Sequence, residues 1–418
     1  CKYMMALGYW GLNQKEKSVR LLRKRNDAVT TLQEVFPPKR IEEIFIPKAN
    51  NRTRGYVKGV PFTKVRYEPF NPASRQQIAD RLIEKHGWKP SEFTDTGQPK
   101  VDEDVLASLP FPECKPLVDY LELLKIIGML AEGKNGWLKL GGPDGRIHGR
   151  VITNGAVTGR CTHNSPNLAQ IPARGQYGKQ CRALFAAPPP LVQVGADASG
   201  LELRMLAHYL AAYDGGAYAK VLLEGDIHTA NQHAAGLETR DNAKTFIYAF
   251  LYGAGDEKLG SIVAPLASSA VQTKRGRALK ARFFRSLPAI KRLIDDVQGV
   301  LTGPGKRPYL IGIDGRHLHI RSSHSALNTL LQSAGAVLMK LATVIFHMEA
   351  QRRGLRLGED YVQVLHVHDE AQFNTTPEKA DALGRLFVES IELAGRHFGM
   401  RCPTTGEFKV GANWAETH

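Results

Sequence analysis

Two acidic stretches and one row of cations and rings hold the residues in this sequence that could do chemistry. In His366-Val367-His368-Asp369-Glu370-Ala371-Gln372-Phe373, two adjacent carboxylates interrupt a strand-like run that begins at Tyr361. Burying a carboxylate is costly unless something positive meets it, so the stretch needs a partner. Asp197-Ala198-Ser199-Gly200-Leu201-Glu202 repeats the arrangement, with a carboxylate at the end of the apolar run 191–196 and just before a helix-like stretch. If the two strands are neighbours, Asp197 and Asp369 converge, and facing carboxylates repel unless divalent cations lie between them. Mg²⁺ prefers such oxygen ligands, and a pair of ions can activate one oxygen while stabilising another in an in-line phosphoryl displacement. Taken alone, each stretch also reads as a solvated acidic turn. His366-x-His368-Asp369 has the elements of a transition-metal cluster, but no remote partner ligands stand out.

The third element is Thr239-Arg240-Asp241-Asn242-Ala243-Lys244-Thr245-Phe246-Ile247-Tyr248-Ala249-Phe250-Leu251-Tyr252-Gly253. Arg240, Lys244, Tyr248 and Tyr252 recur at every fourth position, so a helix lines them up along one broad face about 18 Å long. Gly253 suits its C-terminal stop. The row is cationic first and aromatic later. A triphosphate calls for a forked guanidinium and a point ammonium, and a base or sugar for a flat ring to pack on. Out of context, an aromatic stripe is usually core and an Arg/Lys pair usually solvated.

These residues need elements to position them. A strand over 191–196 runs into a helix from about 201 to 209, residues 206–300 look mostly helical, and Asp314-Gly315 marks a turn. A long helix over 325–348 precedes the strand pair around Asp369. Upstream, helical texture covers 15–36, stopped by Pro37-Pro38, and returns at 74–86 and 113–132. Between them, 41–72 reads as an irregular or hairpin-bearing insertion. Strands scattered among helices without a βαβ rhythm argue for α+β. The 418 residues carry 56 Lys+Arg against 41 Asp+Glu, formally +15, which favours a polyanionic partner such as nucleic acid or an anionic membrane surface. The first 60 residues alone hold 13 Lys or Arg and 5 Asp or Glu, a candidate polyanion grip. The longest uninterrupted apolar runs fall far short of a span of ~20 residues, so no membrane insertion is expected. Five scattered cysteines without a C-x-x-C pair suggest neither a disulfide framework nor a zinc knuckle, and fit a reducing compartment. The chain begins at Cys1 rather than Met, from which an absent upstream portion is expected.

Residues 197–204, 240–253 and 368–370 resemble, in order, motifs A, B and C of the family A (Pol I-type) DNA polymerases. Thr158-Gly159-Arg160 with 166–172, and Leu327-Asn328-Thr329-Leu330-Leu331-Gln332-Ser333-Ala334-Gly335-Ala336, agree. Within the family, Gly225-Asp226-Ile227-His228-Thr229 and 251–258 are most similar to the replicative enzymes of T-seven-like bacteriophages. The resemblance covers nearly everything after about residue 145, and more loosely the basic stretch before it. It implies a right-hand fold with an antiparallel-sheet palm (146–205 and 317–418), helical fingers (206–316) and a helical thumb (1–145, with a short insertion near 37–72).

The implied activity is template-directed addition of deoxynucleoside triphosphates to a primer 3′-hydroxyl on primer-template DNA, in the cytoplasm of an infected bacterial host. The alternatives are a two-metal nuclease or a non-catalytic DNA-binding clamp. The resemblance implies two Mg²⁺ ions, with Mn²⁺ as a substitute, held by Asp197, Asp369 and the Ala198 carbonyl, with Glu370 beside them. Arg240, Lys244 and His228 match positions that hold the triphosphate, and Lys244 would also protonate the leaving group. Tyr248 matches the position packing on the sugar, where Tyr rather than Phe implies tolerance of dideoxynucleotides. Tyr252 would stack near the templating base, and Arg160, Asn328, Gln332 and His368 would touch the minor groove or primer end. Glu202 carries two readings: a capping box with Ser199, and a sugar gate that blocks a ribose 2′-hydroxyl. The insertion that captures thioredoxin in the phage enzymes is long, and residues 37–72 are too few for it, which speaks against thioredoxin as a partner. Asp102-Glu103-Asp104 reads as an acidic helix start rather than a proofreading site, and the exonuclease domain common upstream is not expected in this chain.

Overall fold

The computed structural model describes residues 7–9, 14–265 and 267–418. Cys1 and parts of the basic grip, residues 1–6 and 10–13, lie outside the described residues. The chain divides into two compact units, one of residues 13–138 and a larger one of residues 1–12 and 139–418.

In the smaller unit the helix Gln14–Val35 stops just before Pro37-Pro38, which cannot continue its hydrogen-bond ladder. The insertion contains an antiparallel hairpin, Lys39–Phe45 paired with Phe62–Glu68, whose strands are largely exposed. Phe45, Tyr56 and Phe62 gather at its far end with ring centroids 4.9–5.6 Å apart. Asp102 accepts from the Val105 amide at 2.8 Å and caps the helix Glu103–Ser108, the helix-start role expected for this acidic triplet. The helix Cys114–Ile127 runs into a π turn, Gly128–Glu132, and Leu32, Phe36, Phe70, Leu82, Leu106 and Leu117 close the core beside it. Glu113 is buried. Burial alone would raise its pKa, but Lys85 at 2.6 Å and His86 at 2.9 Å hold the carboxyl below its ordinary value.

The larger unit is built on a four-stranded antiparallel sheet. Its central strand β1 (Val192–Ala198) leads into α1 (Leu201–Asp214), and α2 (Arg240–Leu251) and α3 (Ala326–Arg352) follow. The hairpin β2 (Tyr361–Val367) and β3 (Glu370–Thr375), the helix α4 (Pro377–His397) and β4 (Gly406–Gly411) complete it. Strand order is β2-β3-β1-β4. β3 is buried along its whole length, because α3 and α4 carry apolar stripes onto the sheet. Phe346 of α3, Phe373 of β3 and Phe387 of α4 meet with ring centroids 4.7–5.4 Å apart. This is the α+β arrangement expected from the sequence.

Among the described residues one helix, Ser323–Arg352, is long and apolar enough to cross a membrane by length and composition, but 67% of its most apolar window is buried in the fold, as in a core helix. One expectation is corrected. Ser199 and Glu202 do not form a capping box: the N-cap of α1 is Gly200, at φ 58°, with no side-chain cap bond. The chain must turn sharply between β1 and α1, and glycine tolerates that left-handed conformation where serine would be strained.

Gly195, in the middle of β1, has no room for a side chain, since a Cβ there would collide with the Thr417 carbonyl oxygen and the Gln372 amide. Gly195→Ala is expected to cost about 1–3 kcal/mol by overpacking. Gly299, inside an exposed helical turn with nothing near its Cβ, is the contrasting position. Gly299→Ala is expected to leave stability unchanged or raise it by up to ~1 kcal/mol. Thermal or denaturant unfolding of the two variants checks both, and equal effects would contradict the packing assigned to β1.

Candidate active site

Backbone pairing brings the two acidic stretches together. β1 and β3 are adjacent with Glu370 opposite Asp197, and the Ala198 amide donates to the Asp369 carbonyl at 3.0 Å. Asp369 lies with His368 in the turn joining β2 to β3, His368 in the left-handed region at φ 55°. Burial and the charges of Asp369 and Glu370 push the Asp197 pKa up to about 7. Asp369 is raised in the same direction, chiefly by burial. Positive charge from His418 at Asp197 and from Arg160 at Asp369 offsets this only in part, and a divalent cation would supply the rest. Their all-oxygen character fits a hard ion such as Mg²⁺. Among the described residues no three His, Cys, Asp or Glu side chains gather as a metal-binding group, so the two aspartates would need further oxygen from backbone, substrate or water. The His366-x-His368 alternative gains nothing, because His366 is fully buried, next to Thr343 at 3.5 Å, and its pKa falls to about 4 through burial.

Glu370 is held differently. Its Oε1 accepts from the Trp414 indole N–H at 2.5 Å and from the Gln372 amide, and its Oε2 meets His418 Nδ1 at 3.0 Å. Arg182 faces the same oxygen at 3.8 Å. Burial would raise the pKa of this carboxyl, but His418, Gln372 and Arg182 hold it below its ordinary value. Its oxygens are saturated by the protein, and it stands behind the aspartate pair. Arg182, Trp414, Gln372 and His418 were not singled out from the sequence; an arginine in a short helix and residues near the end of a chain carry no local signal of convergence.

Thr239 caps α2 by accepting from the Asn242 amide at 3.1 Å. One face of α2 is buried through Ala243, Phe246, Ile247 and Phe250, with Phe283 edge-on to Phe246 and Phe250 at 5.2 and 5.3 Å. That packing turns the expected row outward: Arg240 and Lys244 are exposed and Tyr248 is half-buried. Tyr252 is the C-cap of α2 rather than part of it, followed by Gly253 at φ 77°. Arg240 is not free, since its Nε and Nη2 donate to Asp226 at 2.6 and 3.2 Å. Asp226 also caps the helix that begins at Ile227, accepting from the His228 amide at 3.0 Å. The His228 and Tyr248 rings are 6.4 Å apart.

The far end of α2 meets the acids. The Tyr252 hydroxyl donates to Glu202 Oε1 at 2.6 Å, and Arg160 Nη2 donates to the same oxygen at 3.2 Å. Glu202, Arg160, Gln332, His368 and Asp369 line one narrow crevice beside α1 and α3. Asn328 lies one turn before Gln332 on α3, half-buried. Burial and Arg160 lower the His368 pKa to about 4, so it stands there as a neutral imidazole.

The profile of DNA polymerase family A matches residues 58–416. The chain is 46% identical over 395 residues to the DNA-directed DNA polymerases of Enterobacteria phage T3 and Escherichia phage T7, covering 88% of this chain and 55% of each relative. It is 28% identical to the thermostable DNA polymerase I of Thermus aquaticus, covering 83% of this chain and 42% of that one. The chain thus spans about half the length of the curated relatives it matches. Among solved structures, the POL domain of Pol1 from M. smegmatis, in complex with DNA primer-template and dNTP, superposes with a TM-score of 0.78 at 20% identity, covering 98% of this chain and 68% of that one. That likeness establishes the right-hand polymerase fold. With the profile spanning most of its length and the acidic and cationic stretches in their family order, the chain belongs to DNA polymerase family A.

Proposed function

We propose that the chain is the polymerase portion of a DNA-directed DNA polymerase, adding deoxynucleoside triphosphates to a primer 3′-hydroxyl on a DNA template and releasing pyrophosphate, in the cytoplasm of an infected bacterial host. The observation that carries this reading is the convergence of Asp197 and Asp369 in one sheet, with the Arg240–Tyr252 row linked to them through Glu202. In this reading residues 1–145 form the thumb, 146–205 with 317–418 the palm, and 206–316 the fingers. Two bound Mg²⁺ ions would supply Lewis acidity at the primer hydroxyl and neutralise charge on the triphosphate.

The chain's own residues would divide the remaining work. Asp197, Asp369 and the Ala198 carbonyl would hold the ions, with Glu370 as a fixed negative group behind them. Lys244, exposed and without an ion pair among the described residues, would grip the triphosphate and give a proton to the leaving group. Arg240 would exchange Asp226 for phosphate oxygens, and His228 would add a further donor. Tyr248 would pack on the incoming sugar, with Glu202 filling the space a ribose 2′-hydroxyl would need. Tyr252 would stack near the templating base. Arg160, Asn328, Gln332 and His368 would read the acceptors common to all base pairs in the minor groove. Thioredoxin is not part of this proposal.

Asp197→Ala or Asp369→Ala is expected to abolish primer extension while duplex binding, measured by gel shift, is retained; extension surviving in either variant sinks the assignment of the two acids. Lys244→Ala is expected to remove on the order of 2–4 kcal/mol of transition-state stabilisation, a loss of about 30- to 10³-fold in the rate of single-nucleotide addition. Tyr248→Phe is expected to raise the dideoxynucleotide concentration needed for chain termination, with normal extension preserved. An unchanged termination pattern would remove Tyr248 from the sugar contact.

A further inference from the structure

We propose that Arg182 and Trp414 are positioning residues for nucleotide addition, acting through Glu370; the inference rests on the polymerase reading above. Trp414 is 2% exposed and donates its indole N–H to Glu370 Oε1 at 2.5 Å. The Arg182 guanidinium carbon lies 4.3 Å from the Trp414 ring centroid, so one indole carries the arginine on its face and the carboxylate at its edge. Arg182 Nη1 stands 3.8 Å from Glu370 Oε2, with the two side chains 11% and 5% exposed.

The support of this trio comes from two remote parts of the chain. Residues 183–187 and 412–418 are laced together by the Trp414 amide to the Phe185 carbonyl at 2.8 Å and the Ala187 amide to the Ala412 carbonyl at 3.0 Å. On the other side, Gln372 donates to Glu370 while its own Oε1 accepts from Gln193 at 2.9 Å and Thr417 at 2.8 Å. Each of these partners restricts the carboxylate to one orientation, directly across the strands from Asp197.

A feature of Arg182 argues that the arrangement is more than packing. Its Nε and Nη1 are buried with no hydrogen-bond partner. Leaving guanidinium donors unpaired in the interior is costly, and an apolar side chain of similar length would fill the space without that cost. The positive charge is therefore held where three carboxylates, Asp197, Asp369 and Glu370, crowd together. Its charge bears on Glu370, 3.8 Å away, and on Asp197 through space without an ion pair to either aspartate, so their oxygens stay open while the carboxylate behind them stays fixed. Outer-layer residues of this kind typically change activity by roughly 10- to 100-fold when lost.

The test is a double-mutant cycle in the full chain. Trp414→Phe keeps the ring beneath Arg182 and removes only the N–H, and Arg182→Met removes the charge at similar length. Each is expected to slow single-nucleotide addition at saturating dNTP by roughly 10-fold or more, with KM for dNTP unchanged. In a Glu370→Ala background, and in parallel in Glu370→Gln, neither substitution is expected to slow the reaction further. Thermal midpoints of the same variants give a readout independent of activity, and they are expected to show the same non-additivity. Rate losses that persist in both Glu370 backgrounds overturn the proposal, as does coupling in thermal midpoint with rates unchanged, which would make the network structural only. The unsubstituted chain separates the two levels: no extension by it overturns the polymerase reading and this inference together, whereas extension with additive losses overturns this inference alone.

Discussion

Two half-buried carboxylates that repel each other are kept side by side by backbone pairing. Asp197 and Asp369 belong to stretches distant in sequence, and neither would choose the other's company in water. Register enforces it, since the ladder that sets Glu370 opposite Asp197 also ties the Ala198 amide to the Asp369 carbonyl. A slip of one residue would send every side chain of β3 to the opposite face and dissolve the pair. The buried aromatic contacts of α3, β3 and α4 therefore do functional work at a distance: they hold the sheet that holds the charges.

The strain of that repulsion explains the polar architecture around it. Glu370 could have been a third member of an open acidic cluster. Instead Trp414, Gln372, His418 and Arg182 surround it, so that one carboxylate is held by the protein and two are compensated only in part. The raised pKa of Asp197 is the mark of the uncompensated remainder.

Much of this was legible in the sequence, and the limits have physical causes. Strands and helices are legible through periodicity because each buries one face, and the four-residue spacing from Arg240 to Tyr252 alone marks α2 as a helix. The convergence of Asp197 and Asp369 followed from a resemblance in motif order, since strand pairing across such a separation leaves no local trace. The capping box at Ser199 failed because the left-handed conformation of Gly200 takes over the turn, a backbone decision that a four-residue pattern does not encode. The roles of Arg182, Trp414 and Asp226 were hidden for a related reason. Each acts through a partner brought near by the fold, and nothing in its own neighbours distinguishes it from a solvated charge or a core ring.

Asp226 also bears on how the cationic end of α2 could work under the proposed function. Arg240 reaches Asp226 through two N–H groups, yet the pair is exposed to solvent, where charges are screened and exchange partners readily. Asp226 does not depend on Arg240 for its place, because it is also bound to the first amides of the helix it caps. Arg240 can then leave without stranding a buried charge, and a triphosphate offers its fork the same bidentate geometry with more negative charge. Lys244, one turn further along, has no such partner to give up among the described residues. The two cations thus differ in kind, one pre-oriented by an acid it can exchange and one already open, and that difference arises from a capping residue on a neighbouring helix.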